Sequence, residues 1–416
     1  MKFYKFFLCI TVIIFLSNYS VFADDEDLEI LDNVSSFIEV SSESVTEPTI
    51  NSRAAIVYDR ISGSVLFGKN ENEQRKMAST TKIMTAIIVL ENANLDDIVT
   101  ISSKAAGTGG SRLGLHTNDT ISIKHLLYGL LLCSGNDAAV ALAQHVGNDL
   151  SGFANLMNKK CELLGLKSTN FVTPHGLDND EHYTTAYELA IITNYALQND
   201  TFRSIVGTKH YTVSINGISK NLSNTNELLG NLDGVYGVKT GFTNGANRCL
   251  VTSVKRDNMD LICIVLGADT KKNRTQDSIK LIEFAFNNFK MFNIKEKINT
   301  EFNNWKLCNS SNFTVKKGIT NDVDVILEDL PFDYFPINCN QLDSVSIYIY
   351  CNNILNAPLS SNSVIGYLTI SIANKTILTL QIKNSNSIEQ KDYLDFWNDM
   401  IKSYTYHLES LLYKNI

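Results

Sequence analysis

Hydrophobic positions change their rhythm near Met291. Upstream, apolar residues recur at helical spacing over 123–133, 137–146, 153–164 and 185–197. Residues 80–91 are apolar almost all round, which predicts a helix buried on every side. Strand-like runs bracket these helices. Residues 54–58 and 64–67, joined at Ser62-Gly63, read as a hairpin. Residues 249–254 and 261–266 flank a turn at Arg256-Asp257-Asn258, and 278–289 read as a closing helix. Strands at both ends with helices between them predict one antiparallel sheet with a helical cluster, an α/β (α+β) domain over 49–290.

Downstream, alternation with a period of two takes over, as in 344–350 and 376–382. Closely spaced short strands predict a small all-β domain over 291–386. Residues 387–416 hold an amphipathic helix. Leu394, Trp397, Met400, Ile401, Tyr404, Leu408, Leu411 and Leu412 share a stripe, with Asp395, Asp399, Lys402 and Glu409 elsewhere. Such a stripe suits either the interface of a membrane or packing on the β domain. At the other end, Lys2 and Lys5 precede an apolar run over 6–16 and a small-residue cleavage site at Val21-Phe22-Ala23. Residues 1–23 are therefore expected to be an export signal, and the acidic, serine-rich stretch 24–48 a flexible leader.

Composition narrows the partners. Hydrophobic residues make up 44% of the chain, ample for packed cores, and the net charge is −8. Loss of Lys2 and Lys5 makes it more acidic, and there are no lysine or arginine blocks, so nucleic acid is not an expected partner. Removing Cys9 from the eight cysteines leaves an odd, irregularly spaced set, which argues against a disulfide framework. Cys133, Cys249 and Cys263 lie in apolar runs and read as core residues. With no Cys-x-x-Cys or His-x-x-x-His pair, no metal and no other cofactor is expected.

Three polar clusters, in order, carry the candidate chemistry. Ser79 has Lys82 three residues on, a spacing that puts both side chains on one helix face. A serine hydroxyl needs a base to become a nucleophile, and a lysine serves only when burial or a nearby cation favours its neutral form. Met77, Ile83 and Met84 would bury it. Alone, the pair reads as a capping serine and a surface lysine, but the apolar surroundings suit a surface lysine poorly. Ser134-Gly135-Asn136 lies at a helix junction, where Ser134 can relay a proton and Asn136 can hold a substrate amide. Ser168-Thr169-Asn170 and Ser310-Ser311-Asn312 share that pattern, and a plain turn accounts for all three. Lys239-Thr240-Gly241 opens a strand. Lys239 adds positive charge, Thr240 can donate to a carboxylate, and Gly241 permits close backbone approach. The N–H groups of Ser79 and Phe242 would then form an oxyanion hole.

The joint order of these clusters resembles the penicillin-interacting serine enzymes. More closely, residues 77–86, 233–241, Thr173-Pro174-His175-Gly176-Leu177 and His182-Tyr183-Thr184-Thr185-Ala186 are similar to the low-molecular-mass D-alanyl-D-alanine carboxypeptidases, densely from about Thr49 to Phe289. The resemblance implies a β-lactamase/penicillin-binding-protein-like transpeptidase fold. It implies an acylated Ser79, a proton-accepting Lys82, and a cleft completed by Ser134, Asn136 and Lys239. It also implies that Arg274 helps bind a terminal carboxylate, that the substrate is a peptidoglycan stem peptide ending in D-Ala-D-Ala, and that β-lactam antibiotics act as covalent inhibitors. The C-terminal helix would hold the exported enzyme on the outer face of the cytoplasmic membrane; otherwise it is secreted. His175 and His182 look like loop-structuring residues. Arg248, where the family often has an aromatic, and Cys133 before Ser134 depart from the pattern.

Three rival readings stay open on the residues. A class A β-lactamase needs a glutamate for a deacylating water, and the nearest match is Glu227, in a segment that reads as a loop. A D,D-endopeptidase of the same fold usually lacks a second domain. A non-catalytic wall-binding or β-lactam-sensing protein would not need Ser79, Lys82, Ser134, Asn136 and Lys239 all intact.

Overall fold

The computed structural model describes residues 47–413. The expected export signal at 1–23 and residues 24–46 of the expected leader lie outside them. The chain divides into two compact units between Asn288 and Phe289.

The first unit is organised by a five-stranded antiparallel sheet. β1 (Ala54–Asp59) and β2 (Val65–Lys69) come from the beginning of the unit. β5 (Val235–Thr243), β6 (Asn247–Arg256) and β7 (Met259–Ala268) come from its end. The order is β2-β1-β7-β6-β5, so the sheet joins both ends of the unit as the sequence predicted. All six residues of β1 are buried, which explains its unbroken Ala-Ala-Ile-Val-Tyr run: both faces are covered.

Between these strands lie α1 (Lys82–Asn92), α2 (Ile123–Leu131), α3 (Asn136–Gly147), α4 (Leu150–Leu163) and α5 (Ala186–Ala196). Every residue of α1 from Lys82 to Val89 is buried, as its all-round apolarity requires. Asp149 and Thr185 fix the starts of α4 and α5 by accepting from the N–H groups of Gly152 and Glu188. One hydrophobic core runs through Ile56, Met84, Leu127, Leu142, Ile192 and Ile264.

Three features depart from the sequence reading. A hairpin, β3 (His210–Ile215) and β4 (Ile218–Ser223), is mostly exposed and so gave no hydrophobic rhythm. Lys239-Thr240-Gly241 sits in the middle of β5 rather than opening it. Helix α6 (Lys271–Asn288) starts ahead of residue 278, and Arg274, Thr275 and Asp277 in its polar first turns are buried. The reason for one of those buried residues is visible: the Asp277 carboxylate accepts from the Asn51 and Ser52 N–H groups and the Ser52 hydroxyl at 2.6 to 3.2 Å.

The second unit is β-rich, with a helix that the alternation did not announce. That helix is α7 (Ile294–Asn309). A four-stranded sheet contains β8 (Val325–Leu327), β9 (Val345–Cys351), β10 (Val364–Ile372) and β11 (Lys375–Asn384), in the order β8-β11-β10-β9. Alternate residues Leu368, Ile370 and Ile372 and Leu380 and Ile382 point into a core shared with Ile294, Ile298 and Phe302 of α7. Helix α8 (Tyr393–Tyr413) closes the described chain.

Candidate active site

Ser79 lies on a tight 3₁₀ turn, Ala78–Thr81, which leads into α1. Ala78 is in the left-handed region at φ 48°, an uncommon state for a residue with a Cβ. Its carbonyl is held from two sides. Gly176 packs so closely that a Cβ there would lie 1.9 Å from the Ala78 oxygen, so only glycine fits. The Thr81 hydroxyl donates to the same oxygen at 2.8 Å. Thr81 is in turn 2.8 Å from His182 Nε2, while His182 Nδ1 accepts from the Val172 N–H at 3.0 Å. That acceptance assigns the proton to Nε2, which donates to Thr81. Burial pushes His182 down to about 4. Burial, then the nearby charge of Lys82, takes His175 to about 3. Both rings are therefore neutral at pH 7 and act as fixed hydrogen-bonding parts.

The first residue of α1 is Lys82, and its side chain is 0% exposed. Its Nζ lies 2.7 Å from Ser79 Oγ, 2.7 Å from Asn136 Oδ1 and 3.0 Å from the His175 carbonyl oxygen. Asn136 is the first residue of α3. Its amide is oriented by Nδ2, which donates to the Gly109 carbonyl at 2.8 Å, so that Oδ1 turns to Lys82. The next residue, Asp137, is fully buried and accepts from the N–H groups of Leu113, Gly114 and Leu115 at 2.7 to 2.9 Å. This pins the loop that carries Gly109 on its approach. Ser134, with φ 61°, is buried in the junction between α2 and α3.

Strand β5 runs beside the Ser79 turn. A Cβ on Gly241 would stand 3.1 Å from the Ser79 nitrogen and 3.2 Å from the Met77 oxygen, so glycine is what allows this approach. Lys239 is buried, and its Nζ donates to the Thr240 carbonyl at 2.9 Å. Its charge also reaches the Cys133 thiol beside Ser134. Burial raises that thiol to about 11, with Lys239 among the opposing influences. The Arg248 guanidinium stacks 3.7 Å over the Phe242 ring, its cross-strand partner.

Four of the residues singled out from the sequence are thus tied together directly: Ser79, Lys82 and Asn136 by hydrogen bonds, and Gly241 by contact with the Ser79 backbone. Thr240 and Phe242 flank Gly241 on the same strand. Arg274 is placed differently. It is 2% exposed in the first turns of α6, and its guanidinium pairs with Glu227. The Thr275 hydroxyl donates to that same carboxylate oxygen. Burial opposes ionisation of Glu227, but Arg274 and Thr275 outweigh it and hold the carboxyl below its ordinary range. Glu227 is therefore engaged and charged rather than free to activate water.

Sequence reasoning weighed Glu227 only as a water-activating glutamate and passed over Thr225 and Asn226. The Thr225 hydroxyl is 2.7 Å from that of Thr240, and Asn226 Nδ2 donates to the Gly237 carbonyl at 2.9 Å. Both fasten the segment to β5. The signal available in the sequence was polarity beside Leu228 and Leu229, both of which are buried.

Comparison with known proteins agrees with this geometry. The family model Peptidase_S11, described as D-alanyl-D-alanine carboxypeptidase, matches residues 41–270. D-alanyl-D-alanine carboxypeptidase DacF of Bacillus subtilis is 30% identical over 87% of this chain and 92% of its own length. DacA of Escherichia coli K12, a carboxypeptidase of the same description, is 31% identical over 86% of this chain and 89% of its own. Among solved structures, penicillin binding protein 5 from Haemophilus influenzae superposes with a TM-score of 0.69 at 29% identity, covering 83% of this chain and all of that one. The Streptomyces K15 DD-transpeptidase superposes at 0.56 with 35% identity, over 58% of this chain and 99% of its own. With a hydrogen-bonded serine–lysine–asparagine cluster, a glycine-bearing strand against the serine backbone, and these relatives across most of its length, the chain belongs to the D-alanyl-D-alanine carboxypeptidase family of serine peptidases.

Proposed function

We propose that this serine-type D-alanyl-D-alanine carboxypeptidase removes the terminal D-alanine of peptidoglycan stem peptides through an acyl-Ser79 intermediate. The observation that carries the reading is the 2.7 Å contact between Nζ of the buried Lys82 and Oγ of the half-buried Ser79. In the reactive form the amine is neutral and accepts the serine proton as Ser79 Oγ attacks the carbonyl between the two D-alanines. The Ser79 and Phe242 N–H groups receive the developing oxyanion, each such donor being worth about 3 kcal/mol in a transition state. Ser134 passes the proton to the leaving amine, and the terminal D-alanine departs. Water then attacks the acyl carbonyl, and Ser79 leaves with its proton restored. Asn136 orients Lys82 and the substrate amide, while Lys239 and Thr240 attract and bind the substrate carboxylate. Arg274, paired with Glu227, adds little to that attraction. β-Lactams would acylate the same oxygen and persist because their acyl adduct hydrolyses slowly.

Among the described residues no helix is long and apolar enough to cross a membrane. Helix α8 suits a different attachment. Leu394, Trp397, Met400, Ile401 and Tyr404 are all substantially exposed, and they support a role lying in the outer interface of the cytoplasmic membrane. The polar residues Asp395, Asp399 and Lys402 give that helix no basic face, so its apolar stripe would supply the affinity.

The deciding experiment is intact-protein and peptide mass spectrometry after incubation with benzylpenicillin, alongside D-alanine release from a peptide ending in D-Ala-D-Ala. A stoichiometric adduct on Ser79 and release of D-alanine are expected. An adduct elsewhere, or no turnover, ends the proposal.

A further inference from the structure

We propose that Glu227 sets this enzyme's affinity for its anionic substrate by cancelling the charge of Arg274. The inference rests on the carboxypeptidase reading above, in which the substrate brings a free carboxylate to the lysine–threonine–glycine strand.

Four observations lead to it. First, Arg274 is buried and Glu227 is largely covered, so their charges are less screened than on an open surface. Second, the pair is one-sided. A single Glu227 oxygen takes both Arg274 Nη2 and the Thr275 hydroxyl. Glu227 Oε2 and Arg274 Nε are both buried without a hydrogen-bond partner. An arginine–carboxylate contact built for stability would use the bidentate fork, and leaving two buried polar atoms unmet costs stability. Third, the glutamate belongs to a segment fastened to the catalytic strand, through Thr225 to Thr240 and Asn226 to Gly237. Fourth, the arginine is close enough to the sheet for its charge to act on Cys249 of β6, the residue paired with Gly241 of β5.

Together these place a negative charge behind the strand that receives the substrate's carboxylate. Lys239 draws an anion in, Arg274 would add to it, and Glu227 removes that addition. Glu227 is thus a positioning and charge-setting residue, not a catalytic one. It touches none of the reacting atoms.

Glu227→Gln tests this because the amide oxygen can still accept from Arg274 and Thr275 while the charge is gone. KM for a peptide ending in D-Ala-D-Ala should fall by about three- to ten-fold, the range of one modest electrostatic contact, with kcat changing far less. The acylation efficiency of benzylpenicillin should rise by a similar factor, while that of its methyl ester, which lacks the carboxylate, should not move. Unchanged or raised KM, or an equal effect on acid and ester, overturns the inference. If the glutamine variant does not fold, Glu227→Asp keeps the charge but withdraws it by one methylene. It should lower KM by a smaller factor, and an unaltered KM there is equally decisive. The wild-type control separates the two claims. Absence of D-alanine release by the wild type defeats the functional reading, whereas normal release with an indifferent Glu227→Gln defeats only this one.

Discussion

Lys82 and Trp397 each occupy surroundings opposite to those their side chains favour. The lysine is 0% exposed at the heart of the first unit, whereas the tryptophan is 46% exposed on α8. Burying an ammonium costs several kcal/mol unless its partners compensate. Around Lys82 they do: a serine, an asparagine and a backbone carbonyl meet its nitrogen. Displaying apolar surface costs less per residue, but on α8 the exposure is collective, with Tyr393, Leu394, Phe396, Met400, Ile401, Tyr404 and Tyr406 sharing it. The difference teaches how to read misplaced residues. Polarity hidden inside marks a place where chemistry is done, and apolarity displayed outside marks a place where something else is met.

The largest effect should come from removing the hidden amine. Lys82→Ala should lower the rate of acylation by benzylpenicillin by about 10³-fold or more, as losing a catalytic base does, with the thermal transition retained. Labelling at the wild-type rate would show that the amine is ornamental. A smaller effect probes the neutral histidines around the same turn. His182 falls from an ordinary 6.5 to about 4 on folding, so the unfolded chain binds a proton first as the solution is acidified. Stability is present above pH 6.5, is lost as pH falls from there to about 4, and the loss attributable to His182 is at most about 3 kcal/mol. Denaturant titrations of wild type and His182→Gln across that window should show a shallower decline in the variant. Parallel curves would assign the acid sensitivity elsewhere. Smallest is the surface test. Truncation after Lys391 should reduce co-sedimentation with phosphatidylglycerol-containing vesicles by about ten-fold or more, leaving peptide turnover in solution intact. Equal sedimentation of both forms would remove α8 from the attachment.

Much of this was legible in the sequence, and the reasons are local. The all-round apolar run of α1 could only be a buried helix, so a lysine within it had to be buried too. The run 261–266 in β7 is apolar on both faces, as a central strand requires. What escaped was long-range and polar. Glu227 reads as a loop residue until Arg274, 47 positions on, is seen beside it. The part that His182 plays at the nucleophile turn depends on Thr81, 101 positions away. The first turns of α6 carry Lys, Asn, Arg, Thr, Gln and Asp, and no hydrophobic rhythm announces that Arg274, Thr275 and Asp277 are inside. Helix α7 was obscured by its low hydrophobicity, with only Ile294, Ile298 and Phe302 buried.

The central sheet closes a long circuit: Arg53 donates to the carbonyl of Gly267, 214 positions later, and Ala54 pairs with Leu266. Ser79 is made early during synthesis and the strand bearing Lys239 late. A nascent chain therefore carries its nucleophile long before the groove that would arm it exists. Any stretch emerging from a ribosome without β5, β6 and β7 has the reactive serine but no competent pocket, and it exposes β1 as an unpaired edge in want of a partner. The strand order thus makes completion of the site depend on the last strands of the unit.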